Sequence, residues 1–330
     1  MKSLKVALIA DELTTTCLFS ACDVLYITPL NYWWALRFHK PDFLLVESAW
    51  HGRRNAWKFK IAAYPDHPER NNEKLDRVVS CARNLGIPTV FWNKEDGVHF
   101  SRFIGSARLF DHIFTVDENC LQRYRESLGS QVSVNTLMFP VQPSAHFFSG
   151  FNFKYNSANF VGSYSHHVHD RRRQWQDMMF GACAEAGMKL TIYDRNSRRK
   201  SANYRYPNMP GLEVRGAVPH DLTADIYRDY LVSLNVNTVD DSATMFSRRL
   251  VEILACGGIA VTNPSPAVDR YFSDYCHVVN GKEETKELLA RLNHGPSRFD
   301  LERAEAGARY VLAEHTWAHR LQEICRVIGI

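Results

Sequence analysis

Charged side chains stand directly behind apolar runs at several points in this sequence. Phe91-Trp92-Asn93-Lys94-Glu95-Asp96-Gly97-Val98-His99-Phe100 sets an ammonium, two carboxylates and an imidazole after the apolar run 89–92. Glu95, Asp96 and His99 are therefore candidates for proton transfer, and Lys94 for charge stabilisation. The plainer alternative is a solvated turn, because Asp-Gly is a common turn pair. Val46-Glu47-Ser48-Ala49-Trp50-His51-Gly52 repeats the arrangement, with Glu47 following a second apolar run. Two acidic strand ends exceed what turns require, which favours a site.

Later in the chain the chemistry changes from acid to anion binding. Phe160-Val161-Gly162-Ser163-Tyr164-Ser165 reads as a strand running into a Gly-Ser turn, followed by Asp170 and the run Arg171-Arg172-Arg173. Backbone amides freed by such a turn, beside a helix N-terminus, suit a phosphate, and Gly162, Ser163 and Arg171 are candidates to hold one. A second cationic run, 195–200, begins at Arg195. Ser242 to Thr244 are small polar residues placed to cap a helix carrying Phe246, Leu250, Ile253 and Leu254 on one face. Arg248 and Glu252 fall on another face of that helix. In the functional reading Glu252 takes ribose hydroxyls and Arg248 takes phosphates. Otherwise they form a surface i, i+4 ion pair worth a few tenths of a kcal/mol. His166-His167-Val168-His169-Asp170 invites a metal reading, but no matched ligand set is evident elsewhere, and a polar loop near the phosphates is the expectation.

The elements that must position these groups alternate. Apolar runs at 5–10 and 42–47 are hydrophobic on successive residues, as in parallel strands covered on both faces. Leu75, Val78, Val79, Ala82 and Leu85 follow helical spacing, and Gly86 and Pro88 then stop the helix. Strands are expected at 89–92 and 112–116. Pro140, Pro143, Gly150 and Asn152 punctuate an aperiodic stretch read as a linker. Alternation then resumes, with strands ending at Gly162 and at 190–193, 212–216, 232–236, 259–262 and 276–279, and an all-helical end beyond Lys282. The expected fold is α/β with two facing Rossmann-like domains and a deep cleft between them. The expected divisions are 1–150, 151–315 and a terminal helix, 316–330.

Composition narrows the class. The chain has 330 residues, 45% apolar and 23% charged, long enough for two cores and ordinary for a globular protein. No apolar run reaches the ~18–20 residues of a membrane span. A net charge of +4 is too small a bias to imply a nucleic-acid partner. Eight cysteines without a C-x-x-C pair read as reduced thiols rather than as a disulfide framework or zinc site. The short apolar N-terminus reads as a first strand, so the expected location is the cytoplasm.

On these residues the sequence resembles the GT-B glycosyltransferases, and more narrowly the CgeB-like (spore-maturation-protein-like) group. The likeness is carried by Glu47-Ser48-Ala49-Trp50, Trp92-Asn93-Lys94-Glu95-Asp96, Val161-Gly162-Ser163-Tyr164 and Arg248 with Glu252-Ile253-Leu254-Ala255-Cys256-Gly257-Gly258. The resemblance implies transfer of a sugar from a nucleotide-diphosphate donor of UDP or GDP type to a glycan or lipid-linked acceptor, in bacterial surface or spore polysaccharide synthesis. It implies no metal or other cofactor, acceptor binding on the first domain, and donor binding on the second. Contact with the inner membrane face through the acceptor is a further expectation. Retaining members carry two glutamates eight positions apart; Glu252 matches the later one, and Thr244 stands at the earlier. The alternatives are a nucleotide-sugar epimerase or polyol-phosphate transferase of the same fold, or a non-catalytic nucleotide-sugar-binding protein.

Overall fold

The computed structural model describes residues 4–330, which form two compact units, 4–142 with 317–330 and 143–316. The first unit contains β1 (Lys5–Ile9), α1 (Glu12–Phe19), β2 (Asp23–Tyr26), α2 (Tyr32–His39), β3 (Phe43–Glu47), α3 (Glu73–Asn84), β4 (Thr89–Asn93), α4 (Phe100–Ala107), β5 (His112–Thr115), α5 (Cys120–Leu128) and β6 (Ser133–Thr136). Its six strands are all parallel, in the order β2-β1-β3-β4-β5-β6. β3 and β4 are buried along their whole length, which explains their unbroken apolar pattern. The strand order reverses between β1 and β3, where such sheets open a crevice at their C-terminal ends.

The second unit contains β7 (Tyr155–Gly162), α6 (Asp170–Glu185), β8 (Leu190–Asp194), β9 (Leu212–Arg215), α7 (Thr223–Asp229), β10 (Tyr230–Asn235), α8 (Arg248–Ala255), β11 (Ile259–Thr262), α9 (Pro266–Tyr271), β12 (His277–Val278), α10 (Lys282–Asn293) and α11 (Arg298–Glu314). Its sheet is also parallel, ordered β12-β11-β10-β7-β8-β9, and reverses between β7 and β10. The last helix, α12 (Trp317–Ile328), is part of the first unit. There Trp317 lies edge-on to Trp92 at 5.4 Å, and Arg320 Nε donates to the Met138 carbonyl at 2.9 Å.

The sequence misleads at three places. The aperiodic stretch 140–156, read as a linker, is part of the second unit from Pro143 onward. Its aromatic rings are packed there: Phe148 lies tilted against Phe151 at 4.9 Å and crowds Gly257, where an added Cβ would meet its ring at 2.4 Å. The edge strands β2 and β6 escape a hydrophobicity reading because their residues are only partly buried. The helix expected to include Phe246 starts at Arg248, with Ser247 in extended conformation before it. All eight cysteines are free thiols.

Candidate functional site

In the first unit, three charged groups converge at the reversal point of the sheet. Glu47 ends β3, Asp11 follows β1 and Lys94 follows β4, on three adjacent strands. Lys94 Nζ lies 3.0 Å from Glu47 Oε1 and 3.5 Å from Asp11 Oδ2. The Asp11 amide donates to the same Glu47 oxygen at 2.6 Å, and the Lys94 amide donates to Ser48 Oγ at 3.0 Å. Asp11 Oδ1 accepts from the Gly52 amide at 2.7 Å. Gly52 has φ 67°, and a Cβ there would meet Trp57 Cβ at 2.8 Å, so this close approach requires glycine.

Glu47 is fully buried and its Oε2 makes no hydrogen bond. Burial pushes its carboxyl up against the opposing pull of Lys94. For Lys94, burial pulls the ammonium down, but the Glu47 and Asp11 carboxylates prevail and hold it above its ordinary range. Asp11 is the exposed member of the group, with 26% of its side chain open to solvent. A cation fixed between a sealed and an open carboxylate can orient a polar acceptor or carry a proton between sites.

The neighbouring candidates separate in space. Asp96 turns into the core, where Asn93 Nδ2 donates to Oδ1 at 2.6 Å and the Tyr124 hydroxyl to Oδ2 at 2.9 Å. Burial raises its carboxyl to about 7. Glu95 is half-buried, its amide donating to Asn93 Oδ1 at 3.2 Å. The His99 ring stands edge-on to Trp50 at 5.2 Å.

In the second unit, the reversal point holds two arginines. Arg249, in the first turn of α8, bridges the ends of both strands flanking that point: its Nε donates to the Val161 carbonyl at 2.5 Å and Nη1 to Asn235 Oδ1 at 3.2 Å. Its guanidinium also lies over the Phe160 ring at 4.4 Å. Arg172, from α6, donates through Nη2 to the Ser163 carbonyl at 2.7 Å, and Gln176 one turn later donates to the same carbonyl at 3.1 Å. Among the described residues, neither arginine has a carboxylate in ion-pair distance. Their neighbours Arg171 and Arg173 do, on Asp240 and Asp170, each at 2.8 Å.

Burial and mutual repulsion lower Arg172 to about 10, and burial, with the Arg195 charge also acting, lowers Arg249. Arg172 Nε and the Tyr206 hydroxyl are buried without a hydrogen-bond partner. Two guanidiniums held together without a counter-charge form an anion site. Gly162 lies against it, where a Cβ would meet the Phe160 ring at 2.5 Å and Arg249 Nη2 at 3.0 Å. The exposed Arg195 donates its amide to the Gly162 carbonyl at 2.8 Å.

Glu252 departs from the surface ion-pair alternative, being only 5% exposed. Its Oε1 accepts from His220 Nε2 at 2.7 Å and lies 2.9 Å from Arg248 Nε. Burial would raise the carboxyl, but Arg248 and the His220 hydrogen bond hold it well below the usual carboxylate range. Thr244 is buried, its amide donating to Ser242 Oγ at 3.3 Å.

The histidine run 166–169 is a loop in which His166 Nε2 meets the Arg205 carbonyl at 3.0 Å. The described residues instead assemble His146, His220 and Glu252, with potential ligand atoms within 4.8 Å of one another, a set no sequence spacing revealed. Arg248 Nε and His220 Nε2 both already approach the same carboxylate oxygen of Glu252, at 2.9 and 2.7 Å. Sequence reasoning offered the run 171–173 to a phosphate but settled on Arg171 rather than Arg172, and overlooked Arg249 and His220. The available signal was Arg172 and Gln176, four apart on α6 and facing one way.

Residues 166–326, just under half the chain, match the family model described as "Glycosyl transferase-like". No curated protein matches the chain by sequence. An alpha-glucosyltransferase in complex with UDP and a 13-mer DNA containing an HMU base superposes with a TM-score of 0.69 at 11% identity, covering 99% of this chain and 100% of that one. T4 phage BGT in complex with UDP and Mn2+ gives 0.61 at 13% identity, with 99% and 100% covered. Sucrose-phosphate synthase from Thermosynechococcus elongatus gives 0.53 at 10% identity, with 89% and 74% covered. Likeness at these identities speaks to the fold, which is GT-B. The matched segment and the fold together support a glycosyltransferase.

Proposed function

We propose that this protein transfers a sugar from a nucleoside-diphosphate donor, of UDP type, to a hydroxyl-bearing glycan or lipid-linked acceptor. The observation that carries the reading is the pair Arg172 and Arg249, two guanidiniums without a counter-anion at the reversal point of the second sheet. A diphosphate supplies the missing charge, with Gly162 and Ser163 permitting its close approach and Arg171 and Arg195 at the rim. Glu252, held ionised by Arg248 and His220, accepts hydrogen bonds from ribose hydroxyls. Thr244 lies in the segment leading to the same helix. The family match over 166–326 and the UDP held by solved structures of the same fold support this assignment.

Stabilising the departing diphosphate needs fixed positive charge, and the arginines provide it without proton transfer. In the first unit, Asp11, Glu47 and Lys94 position the acceptor hydroxyl, with Glu95 and His99 beside them. Asp11 is the group there with an open carboxylate. The assignment to the CgeB-like group and to polysaccharide synthesis rests on the resemblance carried by the sequence runs 47–50, 92–96, 161–164 and 248–258, and the cytoplasmic setting on the unpaired pattern of the cysteines.

A second acceptor class follows from the solved structures. One alpha-glucosyltransferase of this fold, matched over its whole length, is held with DNA carrying an HMU base. A thermal-shift panel of UDP, GDP and their sugars tests the donor; a ligand at 100 times its Kd adds about 2.7 kcal/mol. Incubation of the stabilising nucleotide sugar with a lipid-linked glycan or with hydroxymethylated duplex DNA then separates the acceptors. Absence of stabilisation by any nucleotide overturns the donor reading, and an altered sugar released without any acceptor makes the protein an epimerase.

A further inference from the structure

From Val24 to Pro41 the chain contains no Asp or Glu, while Arg37 and Lys40 supply positive charge. Within this stretch α2 is held to the core through Ala35 and Leu36. Its other side is apolar and open, with Phe38 68% exposed, Trp33 56% and Trp34 47%, and Leu30, in the turn just before the helix, is 93% exposed. Exposed apolar residues are ordinary when scattered singly, but four large ones within nine positions are not. Trp33 and Phe38 stand edge-on with ring centres 6.4 Å apart, and the Arg37 guanidinium lies 5.6 Å from the Trp33 ring centre.

A groove of about 490 Å³ runs beside this helix along α3. Trp33 and Leu85 line its apolar part, Arg37 and Arg77 its charged part, with Ser80 and Asn84 between them, and no acid lines it. Among the described residues, Arg37 and Arg77 form no ion pair. The helix leaves the sheet at a defined place. β2 ends at Tyr26, on the strand-end rim that also carries Asp11 and Glu47, so residues 27–34 depart from the rim of the candidate acceptor site.

We propose that α2 and the adjoining groove dock this protein onto a membrane surface containing anionic phospholipid. The tryptophans and Phe38 enter the headgroup–acyl boundary while Arg37 and Arg77 meet lipid phosphates. Short helices with aromatic residues on one side and cations at the edge lie in that boundary. The apolar exposure sets this face apart from a site for a soluble polyanion, and its acid-free charge sets it apart from a site for an uncharged apolar partner. Among the described residues no helix is long and apolar enough to cross a membrane, so the contact is peripheral. The inference requires nothing of the reaction.

The test is flotation of the full chain with vesicles of phosphatidylcholine, with and without phosphatidylglycerol, combined with tryptophan emission. The expected result is flotation with the anionic vesicles only, a blue-shifted emission, and weakening by added salt. Arg37→Gln lowers partitioning about fivefold, the equivalent of ~1 kcal/mol per basic residue at an anionic surface. The double substitution Trp33→Ser, Phe38→Ser abolishes flotation while leaving the melting temperature and UDP binding unchanged. No flotation of the parent protein overturns the proposal. So does equal binding to both vesicle types, concentration-dependent self-association lost in the double variant, or duplex-DNA binding lost in it. UDP stabilisation in the same samples reports on the donor site separately.

Discussion

Lys94 Nζ and Glu47 Oε1 lie 3.0 Å apart across the ends of two neighbouring parallel strands, and the glutamate has no exposed surface. Removing one partner leaves a buried charge uncompensated, whereas neutralising both leaves an uncharged pair of similar shape. Lys94→Met is expected to cost about 3–5 kcal/mol of stability in urea denaturation. Adding Glu47→Gln to Lys94→Met recovers much of that loss. Additive losses in the double variant show that the pair is not coupled.

The anion site separates phosphate from nucleoside. Arg249→Met or Arg172→Met removes a charge-assisted contact worth about 1.5–3 kcal/mol, so UDP affinity falls roughly ten- to a hundredfold. Uridine, which has no phosphate, binds the variants as it binds the parent. Titration calorimetry with both ligands gives the comparison, and equal loss for both places the arginines elsewhere.

Glu252→Gln has the reverse signature. It removes the carboxylate that Arg248 and His220 hold in place, so uridine and UDP weaken together while inorganic diphosphate binding is retained. Calorimetry shows whether nucleoside and phosphate contributions divide along this line.

Asp96 gives a pH signature. Its carboxyl titrates at about 7 in the folded chain against 3.8 for the unperturbed group. Between these values the folded state binds the extra proton, so this contribution to stability is present at low pH and lost as pH rises through 7. Asp96→Asn is expected to flatten that decline in denaturation midpoints measured on either side of pH 7. Because the side chain is turned to Asn93 and Tyr124, transfer by the variant is expected to stay within a few-fold of the parent. A loss of ~10²–10⁴ would restore Asp96 to a proton-transfer role.

His146 works in the opposite direction. Burial lowers its imidazole from 6.5 to about 4, so below pH 6.5 the unfolded chain binds a proton that the folded chain refuses. Stability is lost as pH falls from 6.5 toward 4, and His146→Gln removes that part of the slope in acid denaturation.

Much of the architecture is legible in the residues themselves. Fully buried strands such as β3 and β4 need apolar residues on both faces, and α3 needs them every third or fourth position, so each leaves a pattern in one dimension. The polar ends of those strands are equally visible, which is why Glu47, Lys94 and Gly162 stand out. Glu95 and Asp96, adjacent in sequence, cannot be told apart that way. Only the turn after β4 decides that Asp96 faces Tyr124 and the core while Glu95 stays partly open. Likewise Arg171, Arg172 and Arg173 are alike in composition, and the helix phase alone sends Arg172 to Ser163 and its neighbours to acidic partners. Glu252 gains its low-lying carboxyl from Arg248 one turn away and from His220, 32 residues away, and Arg249 meets Val161, 88 residues away. Local pattern reports what a residue must be buried in or exposed to. Which charges meet is decided by strand order, because a parallel sheet joins the ends of segments that the sequence keeps far apart.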